Sequence, residues 1–91
     1  MNKNDLINSV ASAAGLSKID AGRAVDAFTG AISSALAAGN EVRLVGFGTF
    51  SVVHRKATMG RNPRTGERIQ IPAARRPKFK TGKALKEAVN N

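Results

Sequence analysis

The chain has no cysteine, tryptophan or tyrosine among its 91 residues. Without thiols, disulfides and thiolate zinc sites are excluded, which suits a reducing cytosol without requiring one. A metal site needs three or four ligands. The single histidine, His54, stands between Val53 and Arg55, with no thiol and no obvious carboxylate to join it. The six acidic residues are scattered singly, so no carboxylate pair suggests acid–base catalysis. No basic segment leads into a short apolar run of the signal-peptide kind. No apolar run approaches the roughly 20 residues of a membrane span. These gaps predict a protein that is not an enzyme, with no metal, no cofactor, no small-molecule substrate and no membrane partner. Aromatic residues are also scarce: Phe28, Phe47, Phe50 and Phe79 are all there are. A single domain of this length buries a modest share of its surface. So few large apolar groups predict a core shared between two chains.

What the chain has in excess is positive charge. Fifteen Lys and Arg face six Asp and Glu, a net +9. The excess is uneven. Residues 1–40 hold three basic and three acidic groups, and residues 41–91 hold all the surplus. The first part reads as scaffold and the second as a surface for an anionic partner. Seven of the basic groups fall in residues 53–76, beside one acid, Glu67. That run is too polar for a core and too strand-like for a loose tail. A basic β-arm projecting into solvent is expected there, with nucleic acid as its partner.

Local patterns give the rest of the order. Leu6, Ile7, Val10, Ala11 and Ala14 share one face of a helix over residues 3–14, with Asn2 as N-cap and Gly15 as its end. Ser17 opens a second helix reaching about Ala38, where Gly39-Asn40 stops it. Gly22 and Gly30 lie inside this helix with no evident reason. Alternation over 41–45 and from Thr49 onward predicts strands, with Gly46-Phe47-Gly48 as a turn. Pro63-Arg64-Thr65-Gly66 has turn chemistry at the arm tip. Arg68-Ile69-Gln70-Ile71 returns, and Pro72 and Pro77 hold the returning strand to an edge. Thr81 is expected to cap a short last helix. The predicted order is ααβββα, an α+β fold in one domain: an N-terminal helical hairpin over residues 1–40 that dimerises, then over residues 41–91 a three-stranded antiparallel sheet with a long protruding β-arm and a short last helix.

Several motifs have competing readings. Ala14-Gly15-Leu16-Ser17 has the look of a helix-turn-helix, but Lys18, Asp20, Arg23 and Asp26 after it carry no net charge. A helical hairpin serving the core is favoured over a groove-reading helix. Gly82-Lys83 lacks the glycine and hydroxyl partners of a phosphate loop, since Pro77 and Ala84 occupy those places. Gly46-Phe47-Gly48 lacks the third glycine of a dinucleotide fingerprint. Lys80 and Lys83 oppose the dipole of the last helix, which a bound phosphate would resolve and which exposure would also tolerate. Phe47, Phe50 and Phe79 read as packing residues rather than stacking platforms. Pro63 either shapes the turn alone or also serves as an apolar wedge that enters a minor groove and unstacks a base step.

Together these residues match a family. Phe47-Gly48-Thr49-Phe50, then Gly60-Arg61-Asn62-Pro63-Arg64-Thr65-Gly66, then Pro77-Lys78-Phe79-Lys80-Thr81-Gly82-Lys83-Ala84-Leu85-Lys86, closely resemble the bacterial HU proteins. These belong to the histone-like family that includes integration host factor. The reach of the C-terminus is more similar to HU. The resemblance implies an intertwined dimer whose two arms embrace double-stranded DNA along the minor groove, with Pro63 intercalating. It implies that Phe47, Phe50 and Phe79 build a shared core, to which Phe28 is added. Candidate DNA contacts on the arm are Arg55, Lys56, Arg61, Asn62, Arg64 and Arg68. At the arm base and last helix they are Arg75, Arg76, Lys80, Lys83 and Lys86. The expected function is nucleoid-associated: binding, bending and compacting cytoplasmic DNA with little sequence preference. An integration-host-factor-like, sequence-preferring subunit is the alternative within the class, and a basic RNA-binding structural protein the alternative outside it. The partner copy would be identical or a paralogue.

Overall fold

The computed structural model describes residues 1–90. Backbone contacts divide it within the second helix, into Met1–Ser34 and the residues from Ala35 on.

In the first part, α1 spans Lys3–Ala14. Its start is a reciprocal cap: the Asp5 N–H donates to Asn2 Oδ1 at 2.9 Å, and the Asn2 N–H donates to Asp5 Oδ2 at 3.1 Å. Its end is Gly15, in the left-handed region with its N–H on the Ala11 carbonyl. α2 spans Lys18–Ala37 and is capped by Ser17, whose Oγ accepts from the Asp20 N–H at 3.1 Å. Small residues fill the helix junction. Ala21 is wholly buried and Ala11 nearly so. No larger side chain in the described residues is fully buried. Phe28 is 48 % exposed. Lys3 and Asp26 join the two helices by an ion pair of 2.7 Å. Both groups are largely exposed, so it contributes about 0–1 kcal/mol.

The second part opens with the last turn of α2. Gly39 takes φ +84°, a conformation that costs a Cβ-bearing residue energy. This lets the Asn40 N–H reach the Ala35 carbonyl at 2.8 Å and the Gly39 N–H reach Leu36 at 3.0 Å. The pair is a Schellman motif. Next come β1 (Val42–Leu44), β2 (Gly48–Arg55), β3 (Thr58–Arg61), β4 (Arg68–Ile71), β5 (Ala74–Thr81) and α3 (Lys83–Asn90). β1, β2 and β5 form one antiparallel sheet in that order, and β3 with β4 forms a second.

The expected three-stranded antiparallel sheet is there as β1-β2-β5, and the arm protruding from it adds β3 and β4, so five strands stand where the predicted order had three. The arm strands are interrupted at Lys56-Ala57 on the way out and at Pro72-Ala73 on the way back. Pro72 has no N–H to give the ladder, which is a physical reason for the break. Register survives it. Arg55 pairs with Ala74 before the gap and Thr58 with Ile71 after it, so two residues stand opposite two with none gained or lost. Pro77 lies within β5 on the sheet edge, as expected.

A second correction concerns α3. Thr81 does not cap it; it stays in the ladder, paired with Gly48. Gly82 holds the capping place, accepting from the Lys86 N–H at 3.1 Å and donating to the Phe47 carbonyl at 2.8 Å.

On one face of the three-stranded sheet, the Phe79 ring lies 4.6 Å from Phe50 and 5.5 Å from Phe47, centroid to centroid. Gly48 makes that cluster possible. A Cβ there would run into the Phe79 ring and sit 2.6 Å from the Lys80 carbonyl oxygen. Yet Phe47 remains 46 % exposed and Phe79 37 %. No described helix is long and apolar enough to cross a membrane.

Candidate nucleic-acid interface

The arm is a hairpin closed by a four-residue loop. The Asn62 N–H donates to the Glu67 carbonyl at 2.8 Å, and the Gly66 N–H donates back to the Asn62 carbonyl at 2.7 Å. Asn62 Oδ1 accepts from the Arg64 N–H at 2.9 Å, and Thr65 Oγ1 accepts from the Glu67 N–H at 3.3 Å. Pro63 supplies the fixed φ of the first turn position, and Gly66, at φ +71°, supplies the left-handed exit. Hydrogen bonds from side chain and backbone therefore hold the tip together. Pro63 and Arg64 are exposed at its end.

Along the arm, charge is packed against charge. Arg61 stands directly opposite Arg68. Like charges in that position repel. Among the described residues the ion pairs are Lys3–Asp26, Arg43–Glu41 and Lys83–Glu87, so none of the seven cations in residues 53–76 is neutralised by a carboxylate. Arg55 donates from Nη2 to the Pro72 carbonyl at 3.5 Å, across the interruption. Lys56 is exposed within that gap.

The body sheet carries a second basic surface. Its register sets Arg43, Thr49 and Lys80 in one row across three strands, Ser51 beside Lys78 in the next and Val53 beside Arg76 beyond. Alternation puts these on the face opposite Phe50 and Phe79. Arg43, Thr49, Ser51, Lys78 and Lys80 line a shallow groove of about 420 Å³ on this face, with Glu41 beside Arg43 as its one acidic group. Of the residues expected from sequence, Arg76 and Lys80 belong here. Arg43 and Lys78 were missed, because they lie outside the dense run. The available signal was parity: Lys78 and Lys80 flank Phe79, so they face away from it. Lys83 begins α3 with its side chain 90 % exposed and Nζ 4.0 Å from Glu87; Lys86 is exposed one turn on.

Arg75 is the exception. It shares the face of Phe79 and stands opposite His54. Its Nη2 donates to the Ala37 carbonyl at 2.9 Å. The structure thus separates two neighbours, Arg75 and Arg76, onto opposite faces.

A basic hairpin closed by Asn62-Pro63-Arg64-Thr65-Gly66 on an aromatic-backed sheet has relatives. A family model described as "Bacterial DNA-binding protein" matches residues 1–90. DNA-binding protein HU-beta of Pseudomonas fluorescens is 58% identical over 99% of this chain and 100% of its own length. DNA-binding protein HU-1 of Halalkalibacterium halodurans is 60% identical with the same coverage. Among solved structures, an Anabaena HU–DNA cocrystal superposes with a TM-score of 0.89, at 44% identity, covering 98% of this chain and 97% of that one. Sequence and overall fold agree along nearly the whole length, and the chain belongs to the HU family of bacterial DNA-binding proteins.

Proposed function

We propose that the protein is an architectural DNA-binding protein that grips double-stranded DNA through the minor groove, bends it and compacts it with little regard to sequence. The observation that carries this is the arm: Arg55, Lys56, Arg61, Arg64 and Arg68 have no carboxylate partner among the described residues, and Arg61 is set against Arg68 on a hairpin too slender to be a core element. Such a ribbon loses self-repulsion when phosphates lie along it. The exposed Pro63 at the tip suits the wedge role, and Arg55, Lys56, Arg61, Arg64 and Arg68 suit the phosphates beside it. Low sequence preference follows from what the arm lacks. Asn62 Oδ1 is engaged with the Arg64 N–H, and arginines in a minor groove read mainly its width and potential. The basic sheet face, with Arg76 and Lys80, and the exposed Lys83 and Lys86 would extend the contact onto the body.

The working unit in this proposal is a dimer of identical chains. Phe28, Phe47 and Phe79 are each more than a third exposed, and the fully apolar core amounts to Ala11 and Ala21. A second copy covering Phe47, Phe50 and Phe79 would supply the missing burial. The proposed place of action is the nucleoid, and no catalytic step is assigned.

The test is binding to labelled duplexes of several sequences as salt is raised. With about eight phosphates engaged per dimer, log K against log salt should have a slope near −7. All duplexes should bind within about tenfold of one another, against the 10³-fold or greater preference of a sequence-specific binder. A flat slope, or one sequence far ahead of the rest, would overturn the proposal. Equal affinity for A-form RNA would favour the RNA-binding alternative.

A further inference from the structure

We infer that Arg75 is a positioning residue that ties the base of the DNA-binding arm to the C-terminal turn of α2, rather than a phosphate ligand. The argument begins with the carbonyls at the end of that helix. The last four C=O groups of a helix have no partner within it. Here the Schellman motif satisfies two: Ala35 receives the Asn40 N–H and Leu36 receives the Gly39 N–H. The Ala37 carbonyl receives the Arg75 guanidinium, at 2.9 Å. The last turn of α2 holds no basic residue of its own. A cation there is favourable because the carbonyl end of the helix dipole is negative. Arg75 therefore supplies, from 38 positions along the chain, the charge and donor that α2 lacks.

Its place in the sheet gives the contact its consequence. Arg75 is the second residue of β5, paired with His54 and next to the Arg55–Ala74 rung. That rung is the last before the ladder breaks at Lys56-Ala57 and Pro72-Ala73. An arm hinged at such a gap gains direction only from what holds its root. Arg75 is the side chain at the root that reaches out of the sheet to a helix. Arg76, one residue on, faces the other way with Lys78 and Lys80, where phosphate would lie.

The test has two readouts, one of which needs no DNA. In the free full-length dimer, backbone ¹⁵N relaxation at Ala73, Ala74 and Arg76 should show order parameters dropping from about 0.85 toward 0.6 in Arg75→Ala. Arg76→Ala should leave them unchanged. Duplex binding across salt should show the reverse. Arg76→Ala should flatten the slope by about 2 per dimer, and Arg75→Ala should move it by less than about 0.5. Arg75→Met, which keeps a long stem on the strand, serves if the alanine variant folds poorly, with the same two outcomes expected. Unchanged order parameters in both Arg75 variants would overturn the inference, and so would a slope flattened as much as by Arg76→Ala. The salt measurement rests on the DNA-binding proposal. If the wild-type slope itself is flat, that proposal fails, and the relaxation of the free protein still decides the role of Arg75.

Discussion

Two ribbons, β2 with β5 and β3 with β4, are built from the same two passes of chain in one continuous register. Their side chains make them opposites. In the first, Phe50 faces Phe79 and a groove-lining row of cations occupies the other face. In the second, Met59, Ile69 and the arginine pair are all exposed. The ladder sets the shape of both. What each can do is decided by its faces: one can be buried by a second copy, the other can only be solvated or covered by an anion. Backbone hydrogen bonding thus carries the fold outward well past the point where hydrophobic burial stops supporting it. The two-residue gap marks that boundary.

The comparison breaks most visibly at the aromatic cluster. Phe79→Ala or Phe50→Ala should cost about 3–5 kcal/mol, the usual range for a buried phenylalanine. Met59→Ala on the arm should cost within about 0.5 kcal/mol, like other exposed sites. Urea unfolding of the three variants measures both. Full loss at the Phe positions would also speak for the dimer, since a ring left exposed in one chain gains that value only when a partner covers it. An obligate dimer has a further signature: its melting temperature climbs with protein concentration.

Gly48→Ala tests the same ribbon from the backbone side. The added methyl would strike the Phe79 ring and the Lys80 carbonyl oxygen. Strain of about 1–3 kcal/mol is expected. Gly30→Ala is its control. Its Cβ would meet nothing within 4 Å, and α2 should gain about 1 kcal/mol from the better helix former. A loss at Gly30 would instead place a partner helix against that position. Thermal melts of the two variants, moving in opposite directions, would sharpen the contrast.

On the arm the expected losses are in binding rather than folding. Arg61→Ala removes one member of the Arg61–Arg68 pair and two cations per dimer. It should flatten the salt slope by about 2 while leaving stability within about 0.5 kcal/mol or slightly raised. Titrations at several salt concentrations, beside a denaturation curve, give both numbers.

How much of this was legible in the sequence depended on the range of the interaction. Asn2, Asp5, Gly15 and Ser17 signal helix ends through partners three or four residues away, and the structure has them there. The tip loop was equally local, since Pro63 and Gly66 carry their own geometry. The basic run of residues 53–76 signalled the arm, and the three segments between Phe47 and Lys86 together carried the family resemblance. What was missed is long-range. The break in the arm needs Lys56-Ala57 to meet Pro72-Ala73. Gly82 displaces Thr81 as the cap because Thr81 is held by Gly48, 33 positions back. Charge counting treated Arg75 and Arg76 as equals, whereas strand parity sends them to opposite faces. Arg43 and Lys78 escaped for the converse reason: their neighbours in space are not their neighbours in sequence.

The smallest expected effect on affinity is also the one that asks what the tip is for. Pro63 carries no charge, so it adds little to the counterion release that dominates binding. An apolar wedge acts elsewhere. It offsets part of the cost of unstacking a kinked step, where smooth bending of a 20–30 bp site by 40–90° costs of order 1–6 kcal/mol. Pro63→Ala should preserve the tip, because the bonds that close it come from Asn62, Thr65 and Gly66 rather than from the proline ring. Affinity for straight duplex at low salt should therefore change little. The bend angle, read by fluorescence transfer between duplex ends, should fall, and so should any preference for nicked or pre-bent DNA. An unchanged bend on an intact hairpin would reduce Pro63 to a turn residue. The bending would then belong to the arginines alone, and the two ribbons would differ in charge but not in having a tool at the end of one of them.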